Sequence, residues 1–474
     1  MDMMKLKNSK QINKKKVIFV NLTFNTAIEN LLIPDGILEQ LIEKRNKDTQ
    51  IVITTLEGFK KVLGSYGEHE GVMIEYIKKI PPSGVLQKAF QFFYSYLIFT
   101  GTTKTLATFG ARADVPPAGG NRHMAFLKNA TSKTFGRSKF IKTKFVPWAF
   151  KKIFRKRPYK DLFDKYNPDL VFVSNIAFFP DQELVAEAGR RGIKTIGMAC
   201  NWDHLNKYFI PMHSDFLIVQ NEPMQKEAID LHSYNKHQIF ISGFPQFDMH
   251  ANYKDWIIPK DEFLKKFNIP EGKKIILFIS GAAYALDEPD ILKEISKWIK
   301  NGRFDDETHL VIRPYVVGRD KSNEEKKYKD LMDKPNISFN WLMNEHDIEN
   351  KKYYLSMLYY SDVVISVFST SAIEAAFFDK PMLTLGFDGH IKRPPHQSIT
   401  RLEKMSHFKH VLDTGSVKVA KSFNDLYDGI NSYLLDPAKD REKRKILVDK
   451  MCYRVDSKSS ERITYFILEK IDGK

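Results

Sequence analysis

Cysteine is nearly absent: Cys200 and Cys452 are the only two in 474 residues. That excludes a disulfide framework and any CxxC metal site, and it fits a reducing compartment. Long apolar runs are missing too. The best candidate, VLQKAFQFFYSYLIFTGTTKTLATFG at 85–110, is apolar for about 16 residues and carries Lys88, short of the roughly 20 needed to cross a bilayer. In the basic start MDMMKLKNSKQINKKKVIFVNL the apolar stretch lasts only about six residues, which reads as a first strand rather than a signal-peptide core. No HExxH, Walker loop or GxSxG occurs. No Asp-x-Asp follows a strand: FDDETHL precedes one and DEPD opens a helix.

Acidic residues are outnumbered, 58 against 74 Lys and Arg, which leaves a net charge of +16 and a pI near 9.3. Such an excess attracts nucleic acid, anionic lipid or phosphorylated substrates. The basic residues crowd 122–160, in KNATSKTFGRSKFIKTKF and FKKIFRKRPYK. Aromatics beside that run favour a surface near anionic lipid, and residues 85–110 read either as a membrane-contacting helix or as a buried core helix. At 43% hydrophobic and 28% charged the chain is globular, and its length allows two or three domains.

Short β-branched runs alternate with helical segments. KKVIFVNL, TQIVITTL, PDLVFVSN, IKTIGMAC, SDFLIVQ and HQIFISG read as strands, with helices such as PDGILEQLIEKRNK and DQELVAEAGRRG among them. After ISGFPQFD the pattern breaks and restarts at KKIILFIS, followed by HLVIRPY, ISFNWL, DVVISVFS and PMLTLGF. The reading is two doubly wound α/β domains with parallel sheets, residues 1–250 and 251–474, the first carrying a basic, aromatic insertion near 85–160. Ligands belong at the carboxyl ends of such strands.

Three strand ends in the second half are polar or glycine-rich. Gly281 directly follows KKIILFIS, so either a ligand approaches the backbone there or the loop is a tight turn. Arg313 ends an apolar strand, where a charge needs a partner; a phosphate suits its planar fork, and a salt bridge is the alternative. Ser369, Thr370 and Ser371 stand between a strand and a helix, either as caps or facing an anion at the helix start. Glu374 follows at capping-box spacing, or holds ribose hydroxyls. Three such ends together favour a nucleotide site, which a merely basic membrane- or nucleic-acid-binding protein does not explain.

In the first half, Asp181 opens a helix after PDLVFVSN, as a first-turn acid or an acid–base group. CNWDHLNKY places Trp202 to stack on a sugar, and Asp203 and His204 to take a proton from a hydroxyl. Asn25 and Asp35 lie in a polar first loop. Arg112 and Arg122 lie in a long loop suited to a phosphorylated or lipid-linked acceptor, or simply to solvent.

SVFSTSAIEAAFFDKPMLTL resembles the donor-binding segment of GT-B glycosyltransferases, and QIFISGFPQFD resembles their passage between domains. CNWDHLNKYFIPMHSDFLIVQNEPMQKEAIDLH is similar to bacterial surface-carbohydrate transferases with a W-D-N-L pattern, although His204 stands where that pattern has Asn. The resemblance spans residues 165–470. It implies GT-B architecture, an acceptor-binding first domain, a donor-binding second domain, and a C-terminal helix, SSERITYFILEKI, that crosses back to the first. It makes Gly281, Arg313, Ser369, Thr370, Ser371 and Glu374 the donor shell, with Asp203, His204 and Asp181 as acid–base candidates. No metal or separate cofactor is expected, because helix N-termini and basic side chains hold the diphosphate. The implied activity is transfer of a sugar from a nucleotide-sugar to a glycan or lipid-linked acceptor in surface polysaccharide or lipopolysaccharide assembly. The setting would be cytoplasmic, peripheral on the inner face of the membrane, with no nucleic acid partner. The alternatives are a CDP-alcohol-dependent polyol-phosphate (glycerophosphate) transferase and a nucleotide-sugar 2-epimerase of the same fold.

Overall fold

In the computed structural model, which describes residues 15–115, 124–304, 307–316, 320–341 and 347–473, strands with buried β-branched residues build two sheets. The first holds β1 (Lys16–Leu22), β2 (Thr49–Thr55), β3 (Val72–Tyr76), β4 (Leu170–Val173), β5 (Lys194–Met198), β6 (Phe216–Val219) and β7 (Ile239–Ile241), in the order β3-β2-β1-β4-β5-β6-β7. The second holds β8 (Lys274–Ile279), β9 (Thr308–Arg313), β10 (Ile337–Phe339), β11 (Val363–Ser366), β12 (Met382–Leu385) and β13 (Val417–Ala420), in the order β10-β9-β8-β11-β12-β13. Every pairing in both sheets is parallel. The strand order reverses between β1 and β4 and between β8 and β11, where a doubly wound sheet opens a crevice.

Both faces of each sheet are covered, which is why the strands read as apolar runs rather than as alternation. Along β1, Val17 and Phe19 enter one core while Ile18, Val20 and Leu22 enter another. Along β8, Ile275 and Leu277 join the same core as Val17, and Ile276 and Phe278 face a third. One apolar core thus runs between the two sheets, at about 1.5–3 kcal/mol for each large side chain it removes from water.

The last helix, Ser459–Asp472, crosses back as expected and packs on the helix Ile37–Lys44. Its Ile463 and Ile467 are buried with Ile18 and Leu41. Lys16 Nζ donates to Ile471 O at 3.2 Å and meets the Asp472 carboxylate at 2.9 Å. Asp248 accepts the amides of Ser459 and Ser460, fixing the helix start.

The apolar run at 85–110 is not one helix. It forms Val85–Ser95 and Gly101–Phe109, separated by a turn. The second of these lies against the second half of the chain: Thr102 N donates to Ser406 Oγ at 3.1 Å, and Leu106 packs on the second sheet's outer core. No helix among the described residues is long and apolar enough to cross a membrane.

Candidate functional site

Two cavities, of about 610 Å³ and about 590 Å³, lie along the carboxyl ends of the two sheets. They share Arg313, Tyr315, Tyr354, Thr370 and Glu374. The first cavity continues to Asn25, Asn201 and His250; the second continues to Asp203, Lys207, Gly281, Ser369 and Ser371. Seven of the nine residues given donor or acid–base roles therefore meet in one cleft, Asp203, Gly281, Arg313, Ser369, Thr370, Ser371 and Glu374, and Asn25, Arg112 and Trp202 line it as well. Asp181 and His204 line neither cavity.

Arg313 ends β9, and its guanidinium lies 4.0 Å from the centre of the Tyr354 ring. Among the described residues it has no hydrogen bond and no ion pair. The salt-bridge alternative is thus not what the described residues supply. Stacked on a ring, the fork keeps its edge donors for another group.

Glu374 does not close a capping box. Its carboxylate accepts the Tyr354 hydroxyl at 2.5 Å, and its other oxygen lies 3.7 Å from His250 Nε2. Burial pushes the Glu374 carboxyl up; the Tyr354 bond and Arg313 counter this in part. His250 Nδ1–H donates to Gln246 O at 3.2 Å, so Nε2 of the neutral ring carries a lone pair. Burial pushes this imidazole down to about 4, and Nε2 has no hydrogen-bond partner among the described residues. Two acceptors thus face each other, an arrangement completed by a shared proton or by a ligand hydroxyl.

The hydroxyl turn is held from within. Ser366 Oγ donates to Ile279 O at 2.9 Å, Ser369 sits 3.2 Å from Ser366, and Ser369 and Ser371 hydrogen-bond to each other. No side chain caps the helix Ser371–Phe377. Thr370 Oγ1 instead accepts the Trp202 indole N–H at 3.1 Å, across the cleft. Trp202 lines the second cavity but is only 6% exposed and lies edge-on to His407 at 5.1 Å, which leaves little of its ring for a sugar.

Gly281 is a packing glycine. A Cβ there would sit 2.6 Å from Val367 Cγ2, so only glycine lets the β8 and β11 loops touch. Its N–H donates to Glu288 at 2.5 Å, and Ser280 Oγ donates to the same carboxylate at 2.7 Å. The Gly281 amide is thus occupied by a carboxylate, and the tight-turn alternative describes this loop.

In the first half, Asp203 pairs with Lys207 one helical turn on. Burial pushes the Asp203 carboxyl up, but Lys207 with His204 and His407 outweighs this and holds it well below the usual range. His204 is buried between Phe178 and Tyr208, with burial pushing its imidazole down to about 4. Asp181 is fully buried at the switch point of the first sheet. It accepts Asn21 Nδ2 at 2.7 Å, Thr23 Oγ1 at 3.1 Å and Asn175 N at 2.8 Å, and burial pushes it up to about 8. Arg112 is paired with Asp114 at 2.7 Å, Asp35 lies in an exposed turn at φ 53°, and Arg122 lies outside the described residues. Lys207, His250 and Tyr354 join the site unannounced by the sequence; only Lys207, four residues after Asp203 on one helix face, carried a local signal.

No protein-family model matches the chain, and no curated protein matches it by sequence. Solved structures match its shape. The UDP-GlcNAc 2-epimerase from Neisseria meningitidis bound to UDP-GlcNAc does so with a TM-score of 0.55 at 15% identity, over 96% of this chain and 100% of that one. The fold is GT-B-like. The S. aureus MnaA–UDP co-structure gives 0.54 at 13% identity, over 96% of this chain and 97% of that one. A glycosyltransferase from Rickettsia africae gives 0.49 at 10% identity, over 96% and 98%. At these identities the likeness concerns the GT-B-like fold alone, and the chemistry of the cleft must be argued from its own side chains.

Proposed function

We propose that this chain is a glycosyltransferase that moves a sugar from a nucleotide-sugar to a hydroxyl of a glycan or lipid-linked acceptor, in surface polysaccharide or lipopolysaccharide assembly. The observation that carries the reading is Arg313: a cation without a carboxylate partner among the described residues, at a strand's carboxyl end, lining both cavities. A diphosphate supplies the missing partner, and as the leaving group it gains charge that the fork stabilises. In this reading Ser369, Thr370 and Ser371 lie beside the donor, and Glu374 accepts donor hydroxyls. Gly281 shapes the wall.

The cleft runs to either side of the shared Arg313, Thr370 and Glu374, which leaves space for an acceptor beside a donor, as a transferase needs and an epimerase does not. Residues 1–250 form the acceptor half and 251–474 the donor half, whose last helix crosses back onto the first. An ion-paired carboxylate is a weak base. Asp203 therefore serves as the counter-ion of Lys207, while proton handling falls to the His250–Glu374 pair, in which Glu374, its carboxyl raised by burial, is the basic member. His204 and Asp181 hold the loops behind them. The enzyme works in the cytoplasm, and its acceptor stands at the inner membrane face.

The test is calorimetric titration with a panel of nucleotide-sugars and CDP-alcohols, followed by product analysis with and without acceptor glycans. A nucleotide-sugar that binds the wild type and not Arg313→Ala, and turns over only with acceptor, supports the reading. Turnover without acceptor makes the chain an epimerase. Turnover of CDP-glycerol alone makes it a polyol-phosphate transferase.

A further inference from the structure

From Val115 to Lys160 the chain has 46 residues without a single acid, and 13 of them are Lys or Arg. A stretch of that composition cannot neutralise itself; Arg157 pairs with Glu187 and Lys160 with Asp164, and the charge left over is met by water or by a partner. Of its basic residues, Lys133, Arg137, Lys139, Lys144 and Lys152 are exposed, and none is ion-paired among the described residues.

The same segment leaves large apolar side chains in water. Phe126 is 86% exposed, Phe140 68% and Trp148 58%, and Phe135, Leu127 and Phe145 are exposed beside them. They do not belong to an unfilled core. From Ile141 to Ile153 the backbone is one helical run, and Val146, Ala149 and Phe150 already bury its inner side. Phe140, Lys144, Trp148 and Lys152 recur every four residues on its outer side. The helix Ala125–Lys133 packs on the turn Phe135–Arg137, and that turn packs on this run, so their exposed aromatic and basic side chains are neighbours. The helix Val85–Ser95 packs on the same run and begins with Val85, 88% exposed, and Leu86, 66% exposed.

We infer that this surface docks on a bilayer rich in anionic lipid. Interleaved rings and cations are what an interface rewards: rings enter the acyl boundary while lysines and arginines meet headgroup phosphates. A nucleic acid would satisfy the cations and some rings, but it has no use for the aliphatic Leu127, exposed next to Phe126. The inference goes beyond the cleft's chemistry and stands without it. It also moves the contact away from residues 101–109, which lie under the second half of the chain.

The experiment is sedimentation of the full chain with phosphatidylglycerol–phosphatidylcholine vesicles and with phosphatidylcholine alone. The wild type should bind the anionic vesicles at low salt, less at high salt, and the neutral ones weakly. Each of Lys133→Glu, Arg137→Glu and Lys144→Glu should lower the anionic partition by about 5-fold or more. Phe126→Ser with Phe140→Ser should lower it at both salt concentrations, without moving the melting temperature. Trp emission should shift blue on vesicle binding, and Trp148→Phe should remove that shift. Absence of binding to anionic vesicles at low salt overturns the inference. So does binding that survives the Phe substitutions while a single-stranded oligonucleotide competes for the same lysines.

Discussion

Trp202 donates its indole N–H to Thr370 Oγ1 at 3.1 Å, joining the loop after β5 in the first sheet to the loop after β11 in the second. The bond sits at the back of the cleft, where Thr370 borders both cavities. Trp202→Phe removes the donor together with part of a buried ring, and Thr370→Val removes the acceptor and strands a buried N–H. The bond accounts for about 0.5–1.5 kcal/mol of each loss, and the cavity left by the indole adds to the first. In a double-mutant cycle read by urea unfolding the two should couple rather than add. Simple additivity would mean that the bond contributes nothing.

Arg313→Ala should separate stability from binding. The guanidinium has no ion pair or hydrogen bond to lose among the described residues, only its stacking on Tyr354 and its attraction for the buried Glu374, so the melting temperature should fall only slightly. Binding of a nucleoside diphosphate should weaken by about 10- to 150-fold, the equivalent of one charged hydrogen bond of roughly 1.5–3 kcal/mol. The bare nucleoside should bind as before. Equal loss for both ligands, measured by calorimetry, would remove phosphate from the role of Arg313.

Gly281→Ala tests a wall rather than a ligand contact. The new methyl would meet Val367 at 2.6 Å, and overpacking of this kind costs about 1–3 kcal/mol. Val367→Ala added to it should restore part of the loss in thermal unfolding. If the double variant is no more stable than Gly281→Ala alone, the clash lies elsewhere.

How far the sequence reaches is visible in these residues. The sheets were readable because burial on both faces leaves apolar runs such as VIFV and IILF. The convergence of Arg313, Thr370 and Glu374 was readable because strand carboxyl ends share one edge. Partners were not. Whether the Gly281 amide is free depends on Glu288 folding back onto it, and whether Glu374 caps its helix depends on Tyr354 from another helix. His250 belongs to the link between the sheets and shows its role only once Glu374 lies opposite. The run at 85–110 is apolar for about 16 residues, and nothing local says that its second part faces protein.

Buried histidines should make the fold acid-sensitive well above the carboxylate range. His232 is fully buried; its Nε2–H donates to Leu205 O at 2.8 Å and its Nδ1 accepts the Ile210 amide at 3.4 Å, and burial pushes it down to about 4. His250 and His407 are also pushed down to about 4. The folded value lies below the unfolded one near 6.5, so the unfolded chain binds the proton first. Stability is therefore complete above about pH 6.5 and falls as pH drops towards 4, by about 1.4 kcal/mol per pH unit for each such group. Urea midpoints at pH 7.5, 6.5 and 5.5 should show the decline, and His232→Gln should flatten it. An unchanged midpoint across that range would mean that these rings charge freely in place.

Asp203 and Lys207 form a close ion pair at the cleft, between the Trp202 loop and the helix it opens, with side-chain exposures of 16% and 21%. The pair has a sign in pH: the Asp203 carboxyl lies below its unfolded value, so its stabilisation is present above the usual carboxylate range and is lost as pH falls through the folded value. Asp203→Asn removes one partner and leaves Lys207 a half-buried cation without a counter-charge. For a fully buried pair that costs about 3–5 kcal/mol, and the residual exposure here lowers it. The melting temperature should fall clearly, and Lys207→Gln placed on top should recover part of it, because the stranded charge is gone. A catalytic base behaves otherwise. Its loss lowers transfer by about 10²–10⁴ while leaving the fold intact, and neutralising a neighbouring lysine repairs nothing. Melting and transfer rates of the two single variants and the double variant therefore decide between counter-ion and base. We expect recovery of stability in the double variant, and we expect His250→Asn, not Asp203→Asn, to slow transfer with the fold unchanged.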